Sequence, residues 1–175
     1  MTTTAQPPFV LHYIFDPLCG WCYAAAPLVK AARSVPGVTL QWHGGGMLTG
    51  AHTRTITADW RGHVMPHDQR IAEMTGQPFG TAYFDGLLND LGAVLDSEPP
   101  TTALLAAEEV AGRGLDMLAR QQQAHYVEGR RISDPAVLRE LAQDLGLDGQ
   151  AFAQAFQRLS GAATQAHITE AREWL

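Results

Sequence analysis

The sequence predicts an α/β fold: an N-terminal βαβ unit, then a long helical region with no further strands. Three observations predict it. The apolar and aromatic run "FVLHYIF" (Phe9–Phe15) stops at Asp16-Pro17 and reads as a buried strand. After it, "CGWCYAAAPLVKAARSV" carries helix formers from Cys22 onward and ends at Pro36-Gly37, and "VTLQWH" (38–43) alternates and is rich in β-formers. Downstream, apolar residues recur at helical spacing to the end of the chain.

Strand, helix and strand in so short a span make a βαβ unit, with parallel strands and a right-handed crossover. Its helix carries one internal proline, Pro27. The triple glycine 44–46 ends the second strand; it lacks the GxGxxG spacing of a dinucleotide fingerprint. Residues 50–66 read as irregular, and 79–95 mix aromatics and leucines at helical spacing. Pro99-Pro100 before Thr101-Thr102 marks a helix start, and Gly112 and Gly114 punctuate before the next helix. "SDPAVLRELAQDLG" is the clearest helix, with Ser133 or Asp134 as N-cap, Pro135 in the first turn, and Leu138, Leu141, Ala142 and Leu145 on one face. "DGQAFAQAFQRLSG" repeats the pattern, and a last helix over 164–175 aligns Ile168, Ala171 and Leu175. The expected division is 1–50 for the βαβ unit, 51–162 for an inserted helical domain, and 163–175 for a helix returning to the first domain.

A chain of 175 residues with 46% hydrophobic and 17% charged residues suits one domain, or one domain with an insertion. Net charge is −6 and the basic residues are scattered, which argues against nucleic acid or an anionic membrane as partner. No run approaches the roughly 18 apolar residues of a membrane span. The N-terminus has no basic region followed by an apolar segment and a small-residue cleavage site, so it does not resemble a secretory signal. The expected location is the cytoplasm, where static disulfides are rare. The methionines read as core filler, although Met47, next to the triple glycine, is also a candidate for a substrate rim.

Both cysteines of the chain lie in "FDPLCGWCY". Three readings compete: a metal knuckle, a structural disulfide and a redox pair. Zinc wants about four ligands and one CxxC supplies two. His63 and His67 are four apart, but Pro66 between them is expected to spoil a shared helical face. A disulfide over so short a loop stabilises little. The redox reading uses the context as well as the spacing. A strand-to-helix corner places the first thiol at free helix N–H groups, which lower a thiol's pKa from about 8.5. Cys19 is then the outward nucleophile and Cys22, shielded one turn further in, resolves the mixed disulfide. No metal and no separate cofactor are called for beyond the Cys19–Cys22 disulfide itself. Asp16 is the nearest acid; it can accept the proton of Cys22, or serve only as a cap or turn residue. Trp21 and Leu18 read either as an apolar rim for a flexible peptide or as packing.

"CGWCYAAAP" resembles the thioredoxin-fold active site, a CxxC followed five residues after the second cysteine by a proline, here Pro27. The long helical stretch after the second strand resembles the DsbA-like branch of that superfamily. "FDPLCGWCY", "HGGGM" and "MTGQPFG" (74–80) together resemble its FrnE-like group of predicted protein-disulfide isomerases. The resemblance runs from about Val10 to Leu175. It implies a thioredoxin fold interrupted by a helical domain, and thiol–disulfide exchange with protein or peptide thiols and disulfides, with Gly20 and Trp21 between the catalytic pair. The kappa-class glutathione transferases and related isomerases share the fold with serine at the first site. Two cysteines here argue against that chemistry, which stays an alternative beside a zinc-holding or redox-gated binding module.

One part of the family pattern is not found. The strand hairpin opened by a cis-proline, and its closing helix, match no stretch after Pro135, so the C-terminal half of the thioredoxin domain is expected to be missing from this chain. The first strand is apolar along nearly its whole length, as a strand paired on both edges should be, and the second strand covers only one edge. The expectation is that pairing strands come from residues beyond Leu175 or from a neighbouring chain.

Overall fold

The computed structural model describes residues 9–175; the first eight residues, including most of the stretch considered for a signal, lie outside it. Strand β1 (Phe9–Phe15) pairs in parallel with β2 (Val38–Gly44), Phe9 opposite Val38 and Phe15 opposite Gly44. The crossover holds two short helices, α1 (Gly20–Ala24) and α2 (Ala26–Ala32), instead of the single helix with an internal proline. The cause is Pro27, in the first turn of α2, which has no N–H to give the Tyr23 carbonyl. That carbonyl is taken by Gln77 Nε2 at 2.9 Å, and the Cys22 carbonyl by the Tyr13 hydroxyl at 3.3 Å. Side chains from elsewhere thus satisfy the backbone at the break.

Among the described residues β1 is paired on one edge only, and Phe9, Val10 and Leu11 are 64%, 48% and 44% exposed. Strands are not confined to the βαβ unit, contrary to the sequence-based expectation. Two-residue strands β3 (Arg54–Thr55) and β4 (Val94–Leu95) pair antiparallel, too short for any periodicity to register.

Helix α3 (Ala58–Thr75) begins where irregular chain was expected. Thr57 caps it by accepting from Trp60 N at 3.1 Å, and Gly76 ends it in the left-handed conformation. It runs through Pro66, with buried Asp68 and Ile71 against α1, so the helical face shared by His63 and His67 survives; their rings lie 4.9 Å apart. Residues 79–95 do not form the expected helix. Irregular helical turns cover 82–89, because Phe79 and Tyr83 bend inward onto Tyr126, with Phe84 stacked on Phe79, and leave no regular turn.

The helical region proper comprises α4 (Glu98–Ala111), α5 (Gly114–Tyr126), α6 (Pro135–Asp144), α7 (Gly149–Leu159) and α8 (Ala162–Arg172). Its centre is α4, where Ala103, Leu104, Ala106 and Ala107 are fully buried. The small alanines let α5 and α7 approach closely, and Met117, Leu138, Leu141 and Phe152 fill the space between. The α6 start matches its sequence signals: Asp134 accepts from Ala136 N at 2.8 Å, with Pro135 at the first position. In α8, Ile168 and Ala171 are buried, but Leu175 lies past the helix end and is 87% exposed. Trp174 instead stacks on His12 of β1, ring centroids 3.9 Å apart.

Candidate active site

Cys19 is the N-cap of α1, at φ −96° and ψ 116°, and its sulfur accepts from Cys22 N at 3.4 Å. Both thiols are free, and both are half-buried. The expected contrast between an exposed Cys19 and a shielded Cys22 is therefore absent, and the asymmetry lies in acidity. The Cys19 thiol is brought down to about 7, first by the hydrogen bond from the Cys22 thiol and then by the backbone N–H groups of Cys22 and Trp21, against burial and the nearby Asp16 charge. The Cys22 thiol is pushed far up, first because its proton is held on Cys19, then by burial. One sulfur is poised as thiolate and the other keeps the proton.

Gly20 sits where α3 presses on α1. A Cβ there would lie 2.7 Å from Asp68 Oδ1 and 3.0 Å from Ile71 Cδ1. Asp68 cannot easily withdraw, since it is buried and accepts from the Tyr83 hydroxyl at 2.5 Å. Burial raises its pKa. We expect Gly20→Ala to destabilise the fold by about 1–3 kcal/mol, the usual cost of overpacking, and Asp68→Ala to recover part of that loss. Denaturant melts of the two single variants and the double variant check this; strict additivity would mean that the two groups do not meet.

Trp21 is 52% exposed beside the thiols and suits a substrate rim. Leu18 does not: it is only 8% exposed and belongs to the core beneath the site, so the substrate-rim reading is corrected. The turn at Asp16 folds it inward, since Asp16 Oδ1 accepts from Leu18 N at 2.8 Å. Met47 is half-exposed, and its backbone N–H donates to Asp16 Oδ2 at 2.6 Å. Pro27 is on the surface of α2 and acts through the helix break already described.

Asp16 is buried at the centre of this arrangement. Besides Leu18 N and Met47 N it accepts from the Ser97 hydroxyl at 2.9 Å. Burial raises its pKa, opposed by these donors and by the charge of Arg172. Arg172 fixes the 44–49 loop by donating to Gly45 O at 3.0 Å, Gly46 O at 2.6 Å and Thr49 Oγ1 at 3.3 Å. Gly46 is required there: its φ is +60°, and a Cβ would lie 2.7 Å from Ile168. Asp16 is thus both the turn residue and a buried carboxyl near the thiols.

Below α1, Tyr23 stacks on Tyr126 at 4.8 Å and donates to Pro78 O at 2.7 Å. Gln77 and Pro78 come from "MTGQPFG", whose part in the site is to support α1. Sequence reasoning missed Ser97, Arg172, Gln77 and Asp68. Only Gln77 lies in one of the motifs that carry the family resemblance; the others are ordinary polar residues whose position depends on packing. Among the described residues no cluster of three or more His, Cys, Asp or Glu side chains is arranged to hold a metal ion. Among the described residues, too, no helix is long and apolar enough to cross a membrane.

Comparison with known proteins agrees with this geometry. The cytosolic disulfide reductase DsbM from Pseudomonas aeruginosa is 55% identical and superimposes with a TM-score of 0.88 over 95% of this chain and 78% of its own. A second structure of that reductase, with GSH, matches equally well over 95% and 79%. A candidate protein disulfide isomerase from Nitrosomonas europaea is 28% identical, with a TM-score of 0.83 over 97% and 80%. The ClpXP adapter protein SpxH of Bacillus subtilis (strain 168) is 24% identical over 153 residues, which are 84% of this chain and 48% of that protein, so the chain spans about half the length of this curated relative. A model of the DSBA-like thioredoxin domain matches residues 10–173, and the chain belongs to that family.

Proposed function

We propose that the chain is a thiol–disulfide oxidoreductase working in the reducing direction on protein or peptide disulfides, with Cys19 as nucleophile and Cys22 as resolving thiol. The observation that carries this reading is the split in thiol acidity at one helix turn: Cys19 near 7, Cys22 far above its ordinary value. The Cys19 thiolate attacks a substrate disulfide, forms a mixed disulfide and releases one substrate thiolate. Cys22 then loses its proton, with Asp16 as the nearest acceptor, and attacks the Cys19 sulfur. The second substrate thiolate leaves, and a Cys19–Cys22 disulfide remains. Two electrons from two molecules of a small thiol restore the pair. Glutathione is the proposed source, supported by the related reductase solved with GSH. No other cofactor is needed for this cycle.

The direction has a physical basis besides the relative's name. A strongly oxidising pair has a nucleophile pKa near 3.5, because its reduced form is stabilised; reducing pairs sit near 7. Cys19 belongs with the second kind. The proposed location is the cytoplasm, with residues 51–162 as the inserted helical domain that flanks the site and Trp21 and Met47 as the rim meeting substrate.

The test is the reduction potential of the Cys19–Cys22 couple, measured against glutathione. A value of about −270 to −200 mV is expected; a value near −120 mV would make the protein an oxidase. Glutathione conjugation to a model electrophile that persists in Cys22→Ser would instead support the transferase alternative, and stoichiometric zinc after purification the binding module.

A further inference from the structure

Ser97 stands at the N-cap of α4, where a serine hydroxyl ordinarily accepts from the helix's own first N–H groups. Here it makes no such bond, and Glu98 N is served by Asp96 Oδ1 at 2.8 Å instead. The Ser97 side chain is turned away from its helix and is fully buried. Its oxygen accepts from Leu48 N at 3.2 Å, and its proton goes to Asp16 Oδ1 at 2.9 Å. The direction of that proton follows from the surroundings. Asp16 Oδ1 already accepts from Leu18 N, which disfavours a proton on that oxygen. Ser97 N also donates to Leu48 O at 2.9 Å, so the residue is clamped to the 44–49 loop on both sides.

The other groups facing Asp16 are Cys19 and Cys22 from α1, Arg172 from α8 and Tyr126 from α5. Arg172 spends its guanidinium on the loop carbonyls and acts on Asp16 through space. Among the described residues Ser97 is thus the one side chain that hydrogen-bonds the Asp16 carboxylate.

We propose that Ser97 is a positioning residue for the resolving step: its hydroxyl holds the Asp16 carboxylate ionised beside Cys22, and so makes proton acceptance from Cys22 depend on a residue of the helical region. The inference rests on the thiol–disulfide reading above. A hydrogen bond to a charged group is among the stronger ones in a protein, so its loss is felt as a change of proton affinity.

Two measurements on Ser97→Ala test it. Carbon NMR of the Asp16 carboxyl should show its titration moved up by about one pH unit. The rate at which Cys22 resolves a preformed Cys19 mixed disulfide with glutathione should show its acid limb moved up by the same amount, roughly a tenfold loss below the midpoint. In an Asp16→Asn background, Ser97→Ala should add no shift of the limb. Ser97→Thr, which keeps the hydroxyl, should bring the limb back toward the wild-type position. An Asp16 titration unmoved by Ser97→Ala overturns the inference by itself. A moved titration with an unmoved limb overturns it too, and places the failure in Asp16 as acceptor.

Discussion

Cys22→Ser is expected to halt turnover after one exchange and leave substrate covalently held on Cys19. The serine is nearly the same size and keeps the backbone N–H that the Cys19 sulfur accepts, so the nucleophile survives. What is lost is the attack on the mixed disulfide from within the same helix turn. Well-placed intramolecular groups reach effective concentrations of about 10⁵ M and above, far beyond any thiol in solution. Disulfide reduction should fall by about a thousandfold or more, with the mixed disulfide visible as a mass adduct that dithiothreitol removes. Cys19→Ser should abolish both turnover and adduct. Turnover of Cys22→Ser within tenfold of the wild type would mean that Cys22 is not the resolving thiol.

Alkylation at mildly acidic pH should discriminate the two thiols by at least about a hundredfold in favour of Cys19. At pH 6 a thiol titrating near 7 is about one-tenth thiolate, whereas Cys22 is essentially all thiol. Burial does not separate the two, so the ratio reads acidity. The Cys19 rate should rise tenfold per pH unit below about 7 and flatten above it. Equal labelling, or labelling of Cys22 first, would reverse the assigned roles.

The same shifts set the pH dependence of stability in the reduced protein. Cys19 has a folded value below its unfolded one, so its contribution is present above the unfolded value of 9.0 and is lost as pH falls through about 7. Cys22 is shifted the other way, so its contribution is full below 9.0 and is lost above it. Between pH 7 and 9 only the first changes. Melting of the reduced form relative to the disulfide form should therefore improve from pH 6 to about pH 8.5. A reduced form that weakens over that interval would contradict the Cys19 assignment.

Features written in local chemistry are legible in the sequence. The CxxC is recognised because two sulfurs at that spacing meet across one helix turn, wherever the chain goes afterwards. The βαβ unit, the α6 cap at Asp134 and the helices α4 to α7 follow from periodicity and capping residues within a few positions of one another. The misreadings have the opposite character. Residues 79–95 look helical by spacing, but inward aromatics packing on Tyr126 break them into short turns. The N-terminal part of α3 looks irregular, yet it belongs to one helix that runs through Pro66 and packs on α1 further along, at Asp68 and Ile71.

The sequence by itself determined the two thiols, their order along a strand-to-helix corner, and the family to which that corner belongs. Only the tertiary structure decided how these atoms are tuned. It buried Leu18, pressed Asp68 against Gly20, and brought Ser97 and Arg172 from distant helices to Asp16 and its loop. The physical reason is the range of the forces involved. Helix and turn preferences act over a few neighbouring residues, so a sequence shows them directly. Desolvation and hydrogen bonding to a buried carboxyl depend on every group within a few ångströms, and those groups are assembled only when the chain is packed.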